Sequence, residues 1–146
     1  MPNTFRGLLA AGLLALIPTV TPAAAEGDVA KGEKLFKRCA ACHAVTADGA
    51  SKAGPNLHDI VGRTSGTLEG FKYSDAMVKL GAEGHVWTLE ELNKFVENPK
   101  QLVPGTKMAF PGLKKPEDRS DVVAYLASLS QAPAEPAAPA EPAPSN

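Results

Sequence analysis

Two cysteines and a histidine lie within five residues of each other, in the pattern Cys39-Ala-Ala-Cys42-His43. A Cys-x-x-Cys-His pattern is typical of covalent haem attachment. On a helical turn, the two thiols can form thioethers with the two vinyl groups of a haem, and the adjacent imidazole can then reach the iron. The pattern therefore predicts one haem c, bound covalently through Cys39 and Cys42, with His43 as an iron ligand.

Three other uses of a Cys-x-x-Cys pair stay open on the motif alone: a disulfide, a thiol-disulfide redox pair and part of a zinc site. Zinc is the weakest of these, because a structural site takes four ligands and the chain has only two cysteines and three histidines. A thiol-disulfide enzyme would place a strand before the motif and a helix after it. Here a helix pattern precedes Cys39, and residues 44–55 have the Gly, Ser, Asp and Pro of a loop. The context therefore favours haem.

Both ends of the chain have compositions that predict segments outside the folded domain. Residues 1–25 combine Arg6, an apolar run and an Ala-Ala-Ala sequence that ends at Ala25, which are the features of a cleaved signal peptide. Residues 131–146 repeat Pro with Ala and Glu, which predicts a disordered tail. Residues 26–130 are left as one small domain.

The apolar run near the start of the chain bears on where the protein works. It spans residues 7–17 and is followed by Pro18, so it is shorter than the roughly 20 residues that a membrane span needs. The mature protein is therefore predicted to have no membrane span and to be exported with cleavage near Ala25. In a bacterium the destination would be the periplasm.

The charge balance excludes one class of partner. The chain has 15 basic and 16 acidic residues. Leaving out Arg6, Glu135 and Glu141 in the two terminal segments gives 14 of each in the domain. A neutral domain is unsuited to nucleic acid, which requires a strong basic excess.

The distribution of the basic residues suggests a docking face. Three of them flank the cysteine motif and four flank a later loop; they are Lys37, Arg38, Lys52, Lys100, Lys107, Lys114 and Lys115. If they share one face, they would steer the protein towards acidic partners. Ordinary solvated charges are the alternative interpretation.

Four segments carry helix signals, and none alternates polar and apolar residues as a strand would. They are residues 28–41, 74–80, 88–98 and 116–130. Asp28 and Ser74 are predicted N-caps, and Thr88 with Glu91 forms a capping-box sequence. Gly32 is a poor helix residue, which predicts that another helix packs closely there. The domain is therefore predicted to be all-α.

The connections between these helices are unusually long for a small helical domain. Residues 44–73 and 99–115 are predicted loops, and loops of this length need a surface to lie against. The whole chain has only five Phe, one Trp and two Tyr, so its own aromatic core is thin. A haem would supply the missing surface.

Four side chains are candidates for a second iron ligand: Met77, Met108, His58 and His85. Met108 is the best of them, because Pro and Gly at both ends of its loop, residues 104–112, can present one side chain in a fixed geometry. Met77 is interpreted as core filling. A thioether ligand favours Fe(II) and raises the reduction potential. A closed His/Met site favours electron transfer over two rivals, an open-site haem enzyme and a sensor from which Met108 detaches.

Further segments complete a pattern that resembles the class I c-type cytochromes, close to the mitochondrial and bacterial c2 types. The similarity covers residues 27–130 in order and rests on the cysteine motif together with these segments: Gly54-Pro55-Asn56-Leu57-His58, Gly62-Arg63, residues 70–76, Trp87, residues 97–100, residues 104–110 and Ala124-Tyr125-Leu126. The resemblance implies the cytochrome c fold, a small helical domain wrapped around one haem. It also implies a monomeric electron carrier and not an enzyme.

The resemblance further implies partners and residue roles. The partners would be redox proteins such as a cytochrome bc1 complex, a cytochrome c oxidase or a photosynthetic reaction centre. The Pro55 carbonyl would accept a hydrogen bond from His43, and Arg63, Tyr73 and Trp87 would donate to a haem propionate. Thr106 would hold the other propionate or the Met108 loop.

The resemblance also implies a contact between the first and last helices, in which Gly32 and Phe36 would pack against Tyr125 and Leu126. The chain departs from the mitochondrial pattern at Phe95, where a tyrosine is common, and at Met77, where an asparagine is frequent. Both departures predict a less polar methionine side of the haem.

Overall fold

The computed structural model describes residues 27–130, so the predicted segments 1–25 and 131–146 lie outside the described residues. Five α-helices follow one another in the described part: α1 (Val29–Phe36), α2 (Asp75–Ala82), α3 (Leu89–Glu97), α4 (Pro99–Leu102) and α5 (Pro116–Ser128). Within residues 27–130 the only β-type pairing is an isolated antiparallel bridge between Thr64 and Val86. The all-α prediction is confirmed.

Side-chain caps decide where three of the helices begin. The Asp28 carboxylate accepts a hydrogen bond from the backbone N–H of Lys31 at 3.0 Å, and the Ser74 hydroxyl accepts one from Met77 at 3.2 Å. Thr88 does the same for Glu91 at 3.2 Å. Each cap satisfies an N–H group that has no partner within the helix, so the three predicted starting points are confirmed.

Other helix boundaries differ from the predictions. α1 ends at Phe36 and not at residue 41, because the backbone tightens into turns in which the Cys39 N–H donates to Phe36 at 2.7 Å. The capping box is only half formed, since the Glu91 carboxylate bonds Lys94 at 2.9 Å. The predicted loop 99–115 contains the short helix α4, which begins directly after α3 with Pro99 at its first position.

The crossing of α1 and α5 is the tightest helix contact in the fold. A Cβ atom on Gly32 would overlap the carbonyl oxygen of Asp121 and lie 2.8 Å from the Tyr125 Cβ. One turn further along, the Phe36 and Tyr125 rings are 5.5 Å apart. The predicted close approach at Gly32 is therefore confirmed, and it joins the two ends of the domain.

The long connections supply much of the core. The buried side chains contributed by residues outside the helices include Ile60, Val61, Trp87, Val103 and Leu113. Two of these segments pair through their backbones: Gly62 N–H donates to Trp87, and Trp87 N–H donates to Arg63, both at 2.9 Å. The loops therefore have a defined, hydrogen-bonded conformation, and they place Arg63 beside Trp87.

No helix within residues 27–130 is long and apolar enough to cross a membrane.

Replacing Gly32 with Ala tests the helix crossing. The added methyl group must displace the backbone of α5, so we expect the free energy of unfolding to fall by about 2 kcal/mol. Denaturant titration of the Gly32→Ala and Glu33→Ala variants measures this, and the exposed Glu33 site should change by no more than about 0.5 kcal/mol. A more stable Gly32→Ala variant, as helix propensity alone would give, would contradict the packing argument.

Candidate functional site

The cysteine motif lies on the turns that continue α1. The carbonyl of Cys39 accepts hydrogen bonds from the N–H groups of Cys42 at 3.0 Å and His43 at 2.9 Å. Both cysteines are free thiols, with Cys39 half-buried and Cys42 exposed. A helix, and not a strand, leads into the motif, so the thiol-disulfide alternative lacks the expected context.

His43 is buried and oriented by a single backbone carbonyl. Its Nδ1 donates a hydrogen bond to the oxygen of Pro55 at 2.8 Å, which is the contact that the resemblance implied. Burial lowers the pKa of His43, more than the Pro55 hydrogen bond raises it, and the nearby charge of Lys52 lowers it further. The ring is therefore neutral, and with Nδ1 protonated its Nε2 carries the lone pair that can bind a metal.

The backbone around His43 fixes the Pro55 carbonyl in place. Gly54 N–H donates to Cys42, and Leu57 N–H donates to Ala44, both at 2.8 Å, so the segment 54–57 runs alongside the motif. A Cβ atom on Gly54 would overlap Cε1 of the His43 ring and lie 2.7 Å from its Nδ1. Only glycine allows the backbone to come this close to the imidazole.

Arg63 joins Tyr73 and Trp87 in a second group of donors. Its guanidinium donates to the carbonyls of Asn56, at 2.9 Å, and His58. Burial raises the pKa of Tyr73, and the charge and hydrogen bond of Arg63 partly oppose that rise. The Arg63 guanidinium therefore interacts with Tyr73, and Trp87 is joined to the same segment through the backbone hydrogen bond from its N–H to the carbonyl of Arg63.

Met108 is held by the loop that precedes it. Its N–H donates to the Thr106 hydroxyl at 3.3 Å, while Thr106 N–H donates to the carbonyl of Val103 at 3.0 Å. Lys107 reaches the carbonyl of Tyr73 at 3.2 Å, which ties the loop to the donor group. The Met108 side chain is half-buried against the core. The Thr106 hydroxyl therefore holds the backbone of the loop that carries Met108.

The other three candidates for a second ligand have different surroundings. Met77 is buried in the core. His58 Nδ1 lies 3.0 Å from the carboxylate of Asp59, and His85 Nε2 lies 3.8 Å from that of Glu91. Met108 is the candidate whose loop is fixed next to the donor group.

Phe95 and Met77, the two departures from the mitochondrial pattern, lie in the apolar core cluster against which Met108 packs. Phe95 and Met77 are both buried. The Phe95 ring lies 5.0 Å from the Trp87 ring, and the edge of His85 meets Trp87 from another direction at 4.8 Å.

Two residues near the motif carry contacts that the sequence patterns did not indicate. The Lys52 ammonium donates to the carbonyl of Ala40, between the two cysteines, at 2.8 Å. Asn56 is 7% exposed and uses both ends of its amide in hydrogen bonds. The sequence indicates Lys52 only as one of the basic residues that flank the cysteine motif. A single asparagine in a loop has no periodic signal, so only the position of Asn56 next to Pro55 points to it.

The side chains present suit a covalently bound haem. Two free thiols can form thioethers, the neutral His43 imidazole offers Nε2, and the Met108 thioether is a soft ligand for iron. Among residues 27–130 no group of three or more His, Cys, Asp and Glu side chains is arranged to hold a metal ion by itself.

This helical fold with its haem-attachment site defines the class of c-type cytochromes. The Cytochrome c family model matches residues 29–130, and the chain belongs to that family. Cytochrome c2 of Agrobacterium tumefaciens (strain II Chrys) is 51% identical over 111 residues, which are 75% of this chain and 100% of that protein. Cytochrome c of Gibberella zeae is 52% identical over 103 residues, 70% of this chain and 94% of that protein.

A third relative, cytochrome c2 of Rhodomicrobium vannielii, is 48% identical over 104 residues, covering 71% of this chain and 81% of that protein. Members of the family are electron carriers and not enzymes, and they bind one covalent haem c. The protein is therefore an electron carrier of the cytochrome c fold, with Cys39 and Cys42 as the two cysteines available for attachment.

Proposed function

We propose that this protein is an exported one-electron shuttle in which His43 and Met108 both remain bound to the haem iron. The iron supplies one-electron chemistry by cycling between Fe(III) and Fe(II). The observation that carries the proposal is the His43 hydrogen bond to Pro55 at 2.8 Å, since it leaves Nε2 free as a neutral donor. With His43 and Met108 both holding the iron, no coordination position would remain open for a substrate.

Each proposed ligand has its own support within the chain. The Pro55 carbonyl fixes the His43 tautomer and makes the imidazole a stronger donor. The Thr106 hydroxyl fixes the backbone of Met108. A ligand set held in this way changes little between the two oxidation states, which suits rapid electron transfer.

Arg63, Tyr73 and Trp87 are proposed to serve the haem propionates. A buried propionate is costly unless it is paired, and a guanidinium is a strong donor for a carboxylate. Two of the Arg63 N–H groups are already directed at backbone carbonyls, so the guanidinium is fixed before it meets an anion. The Tyr73 hydroxyl and the Trp87 indole add neutral donors of lower desolvation cost.

The Met108→Ala variant tests the second ligand. Loss of the thioether removes the donor that favours Fe(II), so we expect the reduction potential to fall and the sulfur-to-iron charge-transfer band to disappear. Absorption spectroscopy and redox titration of the purified holoprotein measure both.

Met77→Leu is the matched control, because Met77 is a buried core methionine. It should keep the charge-transfer band. A band that survives in Met108→Ala would show that another side chain is the ligand. Ready binding of carbon monoxide to the native ferrous protein would contradict the closed site and favour a sensor.

Export is the second part of the proposal, and residues 1–25 support it. Their charged start, short apolar run and small residues before position 26 are the features of a cleaved signal peptide. We expect the protein from a bacterial periplasm to have lost residues 1–25 and gained one haem, which its intact mass measures. A mass that includes residues 1–25 would contradict cleavage, and a trimmed tail would appear as a separate loss from residues 131–146.

Docking to membrane redox complexes is the third part. All seven basic residues that flank the motif and the later loop have exposed side chains: Lys37, Arg38, Lys52, Lys100, Lys107, Lys114 and Lys115. We propose that they guide the carrier to acidic surfaces of a cytochrome bc1 complex, a cytochrome c oxidase or a photosynthetic reaction centre. Such steering gives fast but weak association, as turnover requires.

Reversing one of these charges tests the docking face. We expect Lys100→Glu to slow electron transfer with an acidic partner complex by roughly threefold to tenfold at low ionic strength. The difference should vanish near 1 M salt, where the Debye length is about 3 Å. Lys79→Glu makes the same change of net charge outside this group, and equal slowing by both variants would contradict a localised face.

A further inference from the structure

The side chain of Asn56 is a buried junction between two segments of the loop that follows the cysteine motif. Its Nδ2 donates to the carbonyls of Thr46 at 2.8 Å and Gly49 at 2.6 Å. Its Oδ1 accepts from the N–H of His58 at 2.9 Å. Only 7% of the residue is exposed, so every polar atom of the amide is satisfied away from bulk water.

The backbone of Asn56 connects this junction to the two functional groups of the site. The carbonyl immediately before it, that of Pro55, accepts the His43 hydrogen bond at 2.8 Å. Its own carbonyl accepts from Arg63 at 2.9 Å. Two consecutive carbonyls therefore orient the proposed iron ligand and the proposed propionate donor.

The same segment is fixed on its other side by the motif. Gly54 and Leu57 donate to the carbonyls of Cys42 and Ala44. On the outer side, residues 46–51 are small and mostly exposed, and the Asn56 amide holds them together with the Ser51 hydroxyl, which accepts from the Asn56 N–H. Without the Nδ2 donors, the carbonyl of Gly49 loses the Asn56 hydrogen bond and that of Thr46 keeps only the one from the Gly49 N–H, so the outer loop supports the segment that presents Pro55 less firmly.

We propose that Asn56 is a positioning residue for electron transfer, whose amide locks loop 46–51 onto segment 54–58 and thereby holds the Pro55 carbonyl on His43. The inference rests on the proposed role of His43 as an iron ligand. Asn56 acts through the Pro55 carbonyl. Outer-shell hydrogen bonds of this kind set the donor strength of a ligating imidazole.

Asn56→Asp removes the hydrogen-bond donors of the amide and keeps an acceptor, while the side chain stays nearly the same size. The aspartate keeps an oxygen for the His58 N–H, but it places a second oxygen against the carbonyls of Thr46 and Gly49. A milder variant, Ser51→Ala, removes only the acceptor of the Asn56 N–H, which lies 3.2 Å from the Ser51 hydroxyl. Ser51 is exposed, so this variant is expected to fold.

Asn93→Ala is the matched control. The Asn93 amide oxygen accepts from the buried Arg119 at 3.1 Å, in the contact between α3 and α5. Its loss lowers global stability without affecting segment 54–58. The control therefore shows how much the measured signals change when the fold is weakened elsewhere.

The experiment measures hydrogen exchange of the His43 Nδ1–H by NMR in each ferrous holoprotein, together with the acid midpoint at which the low-spin spectrum is lost. We expect Asn56→Asp to speed exchange by roughly tenfold or more beyond what its loss of global stability accounts for. Ser51→Ala should speed it by roughly twofold to threefold. The acid midpoint should rise in the same order, because a weakly held imidazole is protonated and released more easily.

The Asn93→Ala variant shows how much faster the His43 Nδ1–H exchanges for a given loss of global stability. If exchange in Asn56→Asp and Ser51→Ala is no faster than this relation gives, the inference is overturned and Asn56 is a general structural residue. If Asn56→Asp fails to fold, Asn56→Ser takes its place, because its hydroxyl can still accept from the His58 N–H while the Nδ2 donors to Thr46 and Gly49 are lost. Failure of the proposed function looks different: the unmodified holoprotein would then lack the low-spin spectrum and the charge-transfer band, whatever the variants do.

Discussion

The hydrogen bond from His43 to the Pro55 carbonyl is the contact around which the rest of the site is arranged. It determines which ring nitrogen carries the proton, and so which one is available to a metal. The bond requires the backbone at Pro55 to lie against the imidazole, which only a glycine at position 54 allows. It also requires the segment to be fixed from both sides, by the carbonyls of Cys42 and Ala44 and by the amide of Asn56.

The helices supply the frame for this arrangement. α1 carries the cysteines directly on its continuing turns, so the position of the thiols depends on how α1 is held. α5 holds it, through the contact that Gly32 makes possible and through the Asp28 N–H, which donates to the Asp121 carboxylate at 2.7 Å. The first and last helices of the domain are thus packed together as one unit. The loops between them supply Pro55, Arg63 and Met108 to the site.

Features that a recognisable sequence signal marks could be predicted, and features that depend on a choice between competing partners could not. The Ser74 N-cap and the cysteine motif are each visible within a few residues of sequence, and both could be recognised there. The early end of α1 and the missing arm of the capping box depend on competing partners: Glu91 bonds Lys94 instead of the cap. Asn56 and Lys52 both lie in a loop whose sequence has no periodic pattern. Only the structure therefore reveals their contacts with Thr46 and Ala40.

The two sides of the proposed haem site are held by different means. The histidine side rests on part-buried hydrogen bonds around segment 54–58, each of which involves a backbone group. Met108 is held by packing against a core cluster that includes Phe95 and Met77, and by one hydrogen bond from its N–H to the Thr106 hydroxyl. Packing tolerates small shifts better than a fixed hydrogen bond does. For the proposed His43 and Met108 ligands, changes of sequence around Met108 are therefore expected to alter the potential more readily than changes in segment 54–58, which would loosen the hold on His43.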